Sequence, residues 1–316
     1  MTITGDIMEV PKSSSVNPAV ELARILSAAA VVRRDEPLAK RTTLRVGGPA
    51  DVYVEPANES DLAVTVEFCH ARGLSFFVMG RGSNLLVRDG GFRGVVICLA
   101  SQDFSRVEIE GERLRCGAGV KLKQVAVDAK RAGLAGVEFL EGIPGSVGGA
   151  LRMNAGAMGG QMFDVIESVR VMDRAGQVRE LTVAEIPVEY RCCPLLKDHI
   201  ALGAVFRCRA ATRAEVEQRM NTFSEKRWES QPSMPSAGCM FKNPATIPAG
   251  KLIEELGFKE KRVGGAMVSK EHGNFIVNTG NATAHDVLEL AALIKARAWS
   301  ERKIELQTEV EIVGVD

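Results

Sequence analysis

Cys239 lies in the segment SAGCMFKNP, between a flexible Ala-Gly pair and a run of lysine, asparagine and proline. A structural thiol usually has aliphatic neighbours in a strand or helix. Glycine, proline and amide residues are instead typical of loops, and loops on a rigid scaffold often carry reactive groups. A buried core cysteine is an equal interpretation of this segment taken alone. The role of the thiol therefore depends on the rest of the chain.

Three glycine-rich segments could hold a phosphorylated ligand. GRGSN, residues 80–84, follows the apolar run LSFFVM but lacks both the third glycine of a Rossmann fingerprint and the Gly-Lys-Ser/Thr of a P-loop. Its backbone N–H groups can still bind phosphate oxygens, and a tight hairpin turn is the alternative. GIPGSVGGALRMNAGAMGG is so rich in glycine that its backbone is expected to approach a flat or phosphorylated group. With CGAGV, these segments fit one dinucleotide better than three separate turns.

The composition is that of an ordinary globular chain. Its 316 residues, 46% hydrophobic and 25% charged, suffice for two or three domains. The 40 basic and 40 acidic side chains cancel, which argues against binding to nucleic acid or to an anionic membrane. Seven scattered cysteines indicate a reduced, cytoplasmic protein, and four isolated histidines argue against a metal site. Residues 1–17 lack a signal-peptide pattern and are predicted to be a disordered leader.

The hydrophobic pattern predicts three α+β units, at residues 18–99, 100–210 and 211–316. In the first unit a helix over residues 18–30 is followed by a strand in PADVYVEP. The next helix is predicted to begin at an N-cap Ser60 and to end at Gly73.

The third unit has two distinctive elements. Thr283 and Asp286 have the spacing of a capping box at the start of the last helix. The segment IELQTEVEIVGVD alternates apolar and polar residues and is predicted to be one strand. Glu309 falls on its polar face, which is expected to be a solvated edge.

Five segments of the chain resemble, in the same order, the UDP-N-acetylenolpyruvoylglucosamine reductase family. They are GRGSNLLVRDGGFRGVVI, GVEFLEGIPGSVGGALRMNAGAMGG, YRCCPL, SAGCMFKNP and LQTEVEIVG. The resemblance implies an α+β fold, with a two-domain FAD-binding module of the vanillyl-alcohol-oxidase type before a substrate-binding domain. The short stretch between Gly160 and Tyr190 is similar to the shorter subtype, type II, which lacks an extra tyrosine-bearing loop.

The resemblance also implies a reaction. Members reduce UDP-N-acetylenolpyruvoylglucosamine to UDP-N-acetylmuramate with FAD and NADPH, in peptidoglycan precursor synthesis. NADPH reduces FAD and leaves; hydride then passes to C3 of the enolpyruvyl group and a proton to C2. Such a reaction needs a cation at the carboxylate, a group that steadies the enol and a proton donor. The implied partners are small molecules, without nucleic acid or membrane, and the implied state is a monomer or weak oligomer.

The family's catalytic groups fall on Arg191, Glu309 and Cys239. Arg191 is expected to polarise the substrate carboxylate, because a guanidinium matches two oxygens; a surface arginine is the alternative. Glu309 matches a glutamate in a Glu-Val-x-x-x-Gly setting. Cys239 replaces the serine that donates the proton in most members. A thiol with a pKa of about 8.5 is mostly protonated at neutral pH, so we expect catalysis to be retained.

Two other states of the Cys239 thiol stay open. Lys242 and Arg191 could lower its pKa and produce an inert thiolate. A low pKa together with exposure would also allow reversible oxidation.

The resemblance and the glycine segments imply two sets of binding residues. The cofactor set comprises Thr42, Thr43, Gly80, Arg81, Gly82, Ser83, Asn84, Gly117, Gly119, Gly142, Pro144, Gly145, Ser146, Gly149, Asn154, Gly156 and Ala157. The substrate set comprises Tyr190, Arg227, Asn243, Lys259 and His272. For Arg227 the alternative is a helix-end cation, and for Lys259 a solvated loop.

Two other functions remain open. An oxidase of alcohols or hydroxy acids with the same FAD fold keeps the glycine segments, but it has no reason to combine them with YR, SAGCMFKNP and the terminal glutamate. A non-catalytic nucleotide sensor explains Cys239 as decayed chemistry, although the retained Arg191 and Glu309 argue against decay.

Overall fold

The computed structural model describes residues 17–316. The predicted leader, residues 1–17, lies outside the described residues apart from Asn17, whose side chain accepts a hydrogen bond from the N–H of Ala19 and caps the first helix.

The first unit is a four-stranded sheet covered by two helices. Its elements are α1 (Pro18–Ile25), β1 (Val31–Pro37), β2 (Pro49–Glu55), α2 (Glu59–Ala71), β3 (Phe76–Met79), β4 (Leu85–Val87) and β5 (Phe92–Cys98). The sheet order is β1-β2-β5-β3, with β1 antiparallel to β2 and the other pairs parallel. Leu22 of α1 and Leu62 and Val66 of α2 pack on Val95 and Ile97 of β5 in one core.

The second unit is a five-stranded antiparallel sheet with two helices. Its elements are β6 (Val107–Glu110), β7 (Arg113–Gly117), α3 (Leu122–Arg131), β8 (Leu134–Ala135), α4 (Val147–Arg152), β9 (Gly156–Ala157), β10 (Gly160–Gln161), β11 (Ile166–Met172), β12 (Val178–Thr182), β13 (Ile200–Arg207) and β14 (Arg209–Ala210). The sheet order is β12-β11-β13-β7-β6.

The remaining elements build a smaller antiparallel sheet and its helices. They are α5 (Arg213–Ser230), β15 (Ser236–Cys239), α6 (Ala249–Glu255), β16 (Arg262–Val263), β17 (Ala266–Val268), β18 (Phe275–Asn278), α7 (Ala284–Arg302) and β19 (Glu311–Val313). The sheet order is β15-β18-β17-β16, and the capping box of Thr283 and Asp286 at the start of α7 is confirmed. The buried face of α5, with Val216 and Met220, joins the core of the second unit.

The first unit and the C-terminal elements share packing as well. Leu44, Val46 and Leu86 belong to the same buried cluster as the apolar residues of α6 and α7. The strand β4 pairs in parallel with β19, so that Leu85 lies opposite Glu311. These contacts bring the end of the chain to the GRGSN turn.

Two helix boundaries predicted in the first unit are wrong. The first helix ends at Ile25 rather than at residue 30, because the carboxylate of Asp61 accepts hydrogen bonds from the backbone N–H and the hydroxyl of Ser27 and the chain becomes extended at Leu26. The cap of α2 is Asn58 rather than Ser60, since the side chain of Asn58 accepts a hydrogen bond from the N–H of Asp61.

The long glycine-rich segment contains a helix, since residues 147–152 form α4. One further prediction fails nearer the site. The final alternating segment is a strand only at Glu311–Val313; before it, Gln307 and Glu309 pair by backbone hydrogen bonds with Lys242 and Met240. Glu309 therefore lies against a loop rather than on a solvated edge, and its side chain is only 16% exposed.

Within residues 17–316, every helix is too short or too polar to cross a bilayer. The same residues contain no group of three or more His, Cys, Asp or Glu side chains placed to hold a metal ion.

Asn278 provides a test of the packing between the first unit and the C-terminal elements. Its buried side chain donates to the carbonyls of Leu44 and Arg45 and accepts from the N–H groups of Gly280 and Ala282. Asn278→Leu removes the hydrogen-bond partner of these two carbonyls and two N–H groups. Each buried polar group that is left unpaired costs about 1–3 kcal/mol of stability. We expect the free energy of unfolding in a denaturant titration to fall by at least about 2 kcal/mol.

The control is Asn281→Ala at an exposed position of the same loop, which is expected to leave that free energy unchanged. Equal stability of the two variants contradicts the bridging role of Asn278.

Candidate active site

A partly buried ion pair joins Arg191 and Glu309. The Nε of Arg191 lies 3.1 Å from Oε1 of Glu309, with the side chains 21% and 16% exposed. The Nη2 of Arg191 also donates to the carbonyl of Gly156 at 3.1 Å. Among residues 17–316 these two hydrogen bonds occupy two of the five N–H donors of the guanidinium. The remaining donors can bind a carboxylate.

Arg191 projects from a tight turn. The backbone groups of Glu189 and Cys192 bond to each other in both directions, at 2.8 and 3.2 Å. Arg191 has a φ of +56°, in the left-handed region that a non-glycine residue adopts only when its surroundings impose it. Its guanidinium lies 4.9 Å from the centre of the ring of Tyr190, which is half exposed. The turn thus aims the guanidinium inward, at Glu309.

Cys239 ends β15 beside this ion pair. The preceding Gly238 has a φ of +78°, at an irregularity in the pairing of β15 with β18. The N–H of Glu309 donates to the carbonyl of Met240 at 2.9 Å, which brings the carboxylate segment alongside the residue that follows Cys239. The three predicted catalytic residues, which come from distant parts of the chain, therefore lie close together.

The surroundings keep the Cys239 thiol neutral. Burial raises its pKa to about 12, the carboxylate of Glu309 acts in the same direction, and Arg191 and a hydrogen bond with Asn274 oppose them. The alternative of a thiolate is therefore wrong, and the hypothesis of reversible oxidation loses its premise of a low pKa. Burial also raises the pKa of the Glu309 carboxyl, against the opposing effects of Arg191 and Lys242.

The GRGSN turn is bonded directly to this cluster. The side chain of Asn84 donates to the carbonyl of Glu309 at 3.1 Å, and the N–H of Glu311 donates to the carbonyl of Asn84 at 3.1 Å. Thr43 connects the turn to β15, because its hydroxyl donates to the carbonyl of Ser236 at 2.7 Å and its N–H to that of Gly82.

A cleft of about 630 Å³ lies between the first and second units, and Gly80 and Arg81 of the GRGSN turn form part of its wall. Five predicted cofactor residues line it: Gly80, Arg81, Gly119, Ser146 and Gly149. Its lining carries six cations. Arg41, Arg152 and Arg174 are paired with Glu36, Glu311 and Asp198, respectively, whereas Lys40, Arg81 and Lys197 have no ion-pair partner among residues 17–316. These last three cations suit a diphosphate.

Two features of the cleft wall fit a dinucleotide. His199 lines the cleft, and neither of its buried ring nitrogens has a hydrogen-bond partner among residues 17–316. Such groups are costly to leave unpaired, so a ligand is expected to satisfy them. Gly149 lies inside α4, where alanine is normally preferred. A Cβ there would meet only the hydroxyl of Ser146, at 3.8 Å, so the protein itself does not require this glycine.

Other predicted cofactor glycines have packing reasons of their own. A Cβ at Gly117 would clash with the carbonyl of Phe104, and one at Gly119 with that of Leu99. Gly82 has a φ of +60°. Gly156 supports Arg191, whose Nη1 would lie 3.1 Å from an added Cβ. Their glycine character alone therefore does not indicate a ligand.

The polar side chains of Thr42 and Asn154 are bonded within the protein. Thr42 donates to the carbonyl of Val46, and Asn154 bonds Gln161, Glu189 and Phe163. The lining of the cleft does not include Thr42, Thr43, Gly82, Ser83, Asn84, Gly117, Gly142, Pro144, Gly145, Asn154, Gly156 or Ala157.

Three of the predicted substrate residues gather at α6. Asn243 accepts a hydrogen bond from the N–H of Ala249, at the start of this helix, and Lys259 forms an ion pair with Glu254 at 2.8 Å. His272 lies against Gly250, and burial, followed by the charge of Lys259, lowers its pKa. The other predicted cation, Arg227, lies away from α6, at the carbonyl of Gly142.

Arg227 lies apart from that group, next to the long glycine-rich segment. Its guanidinium donates to the carbonyl of Gly142, and burial lowers its pKa. Within residues 17–316 its buried Nε has no partner. Arg227 thus lies in the last turn of α5, as the helix-end alternative has it, and its side chain is also bonded inward to Gly142.

The sequence interpretation missed Arg152, His199 and Asn274. Arg152 is the only charged residue of the segment GIPGSVGGALRMNAGAMGG, which is a signal that could have singled it out. Nothing in the sequence around His199 or Asn274 indicates a site.

Comparisons with known proteins find related proteins over most of the chain. Residues 50–182 match the family model described as FAD binding domain, and residues 231–313 match that of the UDP-N-acetylenolpyruvoylglucosamine reductase C-terminal domain. The chain is 44% identical over 284 residues to the UDP-N-acetylenolpyruvoylglucosamine reductase of Heliobacterium modesticaldum, covering 89% of this chain and 90% of the relative. It is 41% identical over 286 residues to that of Alkaliphilus oremlandii, covering 90% and 94%.

A solved structure is similar over nearly the same length. The crystal structure of UDP-N-acetylenolpyruvylglucosamine reductase from Thermus caldophilus has a TM-score of 0.78 and 38% sequence identity. The match covers 90% of this chain and 98% of that one.

Gly149 provides a test of the cleft as the cofactor site. Gly149→Ala adds a methyl group to the cleft wall without a protein clash, and alanine in a helix interior is favoured over glycine by about 1 kcal/mol. We expect the apoprotein to be at least as stable as wild type and the dissociation constant of FAD, measured by flavin fluorescence quenching, to rise at least about tenfold.

Gly148→Ala is the matched contrast, because its Cβ would press on Ala118 at 3.0 Å and should lower stability. An unchanged FAD affinity in Gly149→Ala contradicts a close approach of the cofactor to α4.

Proposed function

The chain belongs to the UDP-N-acetylenolpyruvoylglucosamine reductase family, and we propose that it reduces UDP-N-acetylenolpyruvoylglucosamine to UDP-N-acetylmuramate in peptidoglycan precursor synthesis, with NADPH as the source of electrons. It is an FAD-binding oxidoreductase with an α+β fold, in which a two-domain module of the vanillyl-alcohol-oxidase type precedes an α+β C-terminal domain. The residue boundaries of the three units stay predictions.

The observation that carries the proposal is the contact of Arg191 with Glu309 next to Cys239. A cation, a carboxyl group and a neutral acid are the three groups that reduction of an enolpyruvyl ether requires. An oxidase or a nucleotide sensor of the same fold has no use for this combination.

FAD, once reduced by NADPH, supplies the hydride for C3 of the enolpyruvyl group. Arg81, Ser146, Gly149 and the orphaned ring nitrogens of His199 are the groups proposed to hold it in the cleft. The excess of cations along the cleft stabilises its diphosphate.

Arg191 binds the substrate carboxylate in this proposal. The charge that develops at C2 is delocalised into the carboxylate, and a fixed guanidinium stabilises it more strongly than water does. Glu309 orients the guanidinium through its Nε, and its carboxylate can accept a hydrogen bond from the enol that forms.

Cys239 donates the proton to C2. Its thiol is neutral because burial and Glu309 both disfavour the thiolate, so the acid is present whenever substrate binds. The thiolate that forms during transfer is stabilised by Arg191, which lowers the thiol pKa against the larger effect of burial.

The substrate diphosphate and uracil are assigned to Tyr190, Arg227, Asn243, Lys259 and His272. The cluster of Lys259 and His272 at α6 and the inward Arg227 at Gly142 support two anchoring points. Lys259 must exchange Glu254 for a phosphate oxygen.

The proposed function is tested by anaerobic flavin kinetics. NADPH reduces the protein, UDP-N-acetylenolpyruvoylglucosamine is added, and reoxidation is followed by flavin absorbance. We expect rapid reoxidation in wild type and in Cys239→Ser, and a rate lower by roughly 10²-fold or more in Cys239→Ala, because only the last variant lacks a proton donor.

Two results contradict the proposal in different ways. Reduction by NADPH without reoxidation by the substrate leaves a flavoprotein with another substrate, such as an alcohol oxidase. A bound flavin that NADPH cannot reduce favours a nucleotide sensor.

The pKa of Cys239 predicts the pH profile of the same step. A proton donor works below its pKa, so a value raised to about 12 extends the active range upward. At saturating substrate, we expect the reoxidation rate to be flat between about pH 7 and 10, whereas a thiol with the ordinary pKa of about 8.5 would lose rate about tenfold per pH unit above that value. If the reoxidation rate of wild type declines above about pH 8.5 and that of Cys239→Ser does not, the thiol is not neutral over this range and the prediction is wrong.

A further inference from the structure

Arg152, the last residue of α4, contacts the chain on both sides of the ion pair of Arg191 and Glu309. Its Nη1 donates to the carbonyl of Leu196 at 2.6 Å, and its own carbonyl accepts from the N–H of Cys193 at 3.0 Å. These bonds hold the chain directly after the turn that carries Arg191.

The Nε and Nη2 edge of the Arg152 guanidinium is paired with Glu311. Its Nη2 and Nε lie 2.7 and 3.3 Å from the two carboxylate oxygens, a bidentate arrangement with both side chains 32% exposed. Glu311 is the first residue of β19, two residues after Glu309, and its N–H donates to the carbonyl of Asn84.

Two parallel links therefore join the second unit to the last segment of the chain. Arg191 with Glu309 is one, and Arg152 with Glu311 is the other. Arg191 has a strained backbone, which its surroundings must hold in place, and Glu309 precedes a strand of only three residues, so both positions depend on contacts outside their own elements. Asn154, just after α4, bonds the carbonyl of Glu189 at the start of the same turn.

We propose that Arg152 is a positioning residue: its bidentate pair with Glu311 keeps the carboxylate of Glu309 against Arg191 and beside Cys239. Its effect on turnover rests on the proposed function, whereas its effect on the environment of Cys239 does not. Arg152 also lines the cleft, so a direct contact with the cofactor is the competing explanation that the experiment must separate.

The first test is alkylation of Cys239 by iodoacetamide in the FAD-bound protein near pH 8, followed by mass spectrometry. The groups that act on the thiol are Glu309, Arg191 and Asn274, and Lys242 acts in turn on Glu309. Arg152→Gln and Glu311→Gln are expected to raise the alkylation rate about tenfold, because retreat of the Glu309 segment admits water and removes a carboxylate from the thiolate. Burial is the largest cause of the raised pKa of Cys239. The entry of water is therefore expected to lower that pKa by more than the loss of contact with Arg191 raises it.

Controls separate this local effect from unfolding. Cys116, which is 1% exposed, must stay protected in every variant. Arg113→Gln removes an exposed ion pair with Glu167 at 2.8 Å, far along the chain from the site, and must not change the rate at Cys239. The double variant Arg152→Gln with Glu311→Gln is expected to match the single variants, since all three break one contact. The proposal is overturned if the alkylation rate of Cys239 does not change, or if Cys116 is alkylated as fast as Cys239 in the variants.

The second test separates the two half-reactions. In Glu311→Gln, which leaves Arg152 itself in the cleft, we expect the FAD dissociation constant and the rate of flavin reduction by NADPH to stay within twofold of wild type, and reoxidation by the substrate to slow at least tenfold. Arg152→Gln should slow reoxidation to the same extent, and Arg152→Lys, which keeps one contact with Glu311, should recover part of that rate. Slower reoxidation in Arg152→Gln but not in Glu311→Gln makes Arg152 a cofactor contact and overturns the proposal. If wild type itself is not reoxidised by the substrate, the proposed function fails, and the alkylation result still decides the role of Arg152.

Discussion

The contact of Arg191 with Glu309 is the constraint around which the rest of the structure is arranged. An ion pair that is mostly out of water must recover the cost of desolvating both charges, which requires fixed geometry and further hydrogen bonds. Here the second bond goes to the carbonyl of Gly156, and the glycine is needed because a side chain would displace the guanidinium. The tight turn around Arg191 and the backbone bond from Glu309 to Met240 supply the rest of the geometry.

The same removal of water explains how a cysteine can replace a serine at position 239. In water a thiol is a much stronger acid than a hydroxyl, and it would be partly ionised near neutral pH. Burial, strengthened by the adjacent carboxylate, narrows that difference and keeps the thiol neutral near neutral pH. In the proposed function, the electrostatics of the site rather than the intrinsic chemistry of sulfur therefore allow Cys239 to act where the family resemblance implies a serine.

Much of the fold follows from local sequence, and the site follows from it only in part. The capping box of Thr283 and Asp286 is set by hydrogen bonds within one turn, which is why its spacing predicts it. The end of α1 depends on Asp61, 34 residues beyond Ser27, and no local pattern reveals that bond. The meeting of Arg191 with Glu309 spans 118 residues and was expected only from the family resemblance. Arg152 was missed because its contact is with Glu311, 159 residues away, and no local pattern indicates that ion pair.

The pairing of β4 with β19 has a consequence for how the chain reaches its native state. Leu85, Leu86 and Val87 are all buried, and in the part of the chain that the structure describes their strand pairs only with Glu311–Val313. Contacts of such long sequence separation form late, because loop closure has to precede them. Until β19 arrives, an apolar strand edge directly after the GRGSN turn stays open to other chains, a state prone to aggregation. Completion of the catalytic cluster and protection of that edge are thus one folding event.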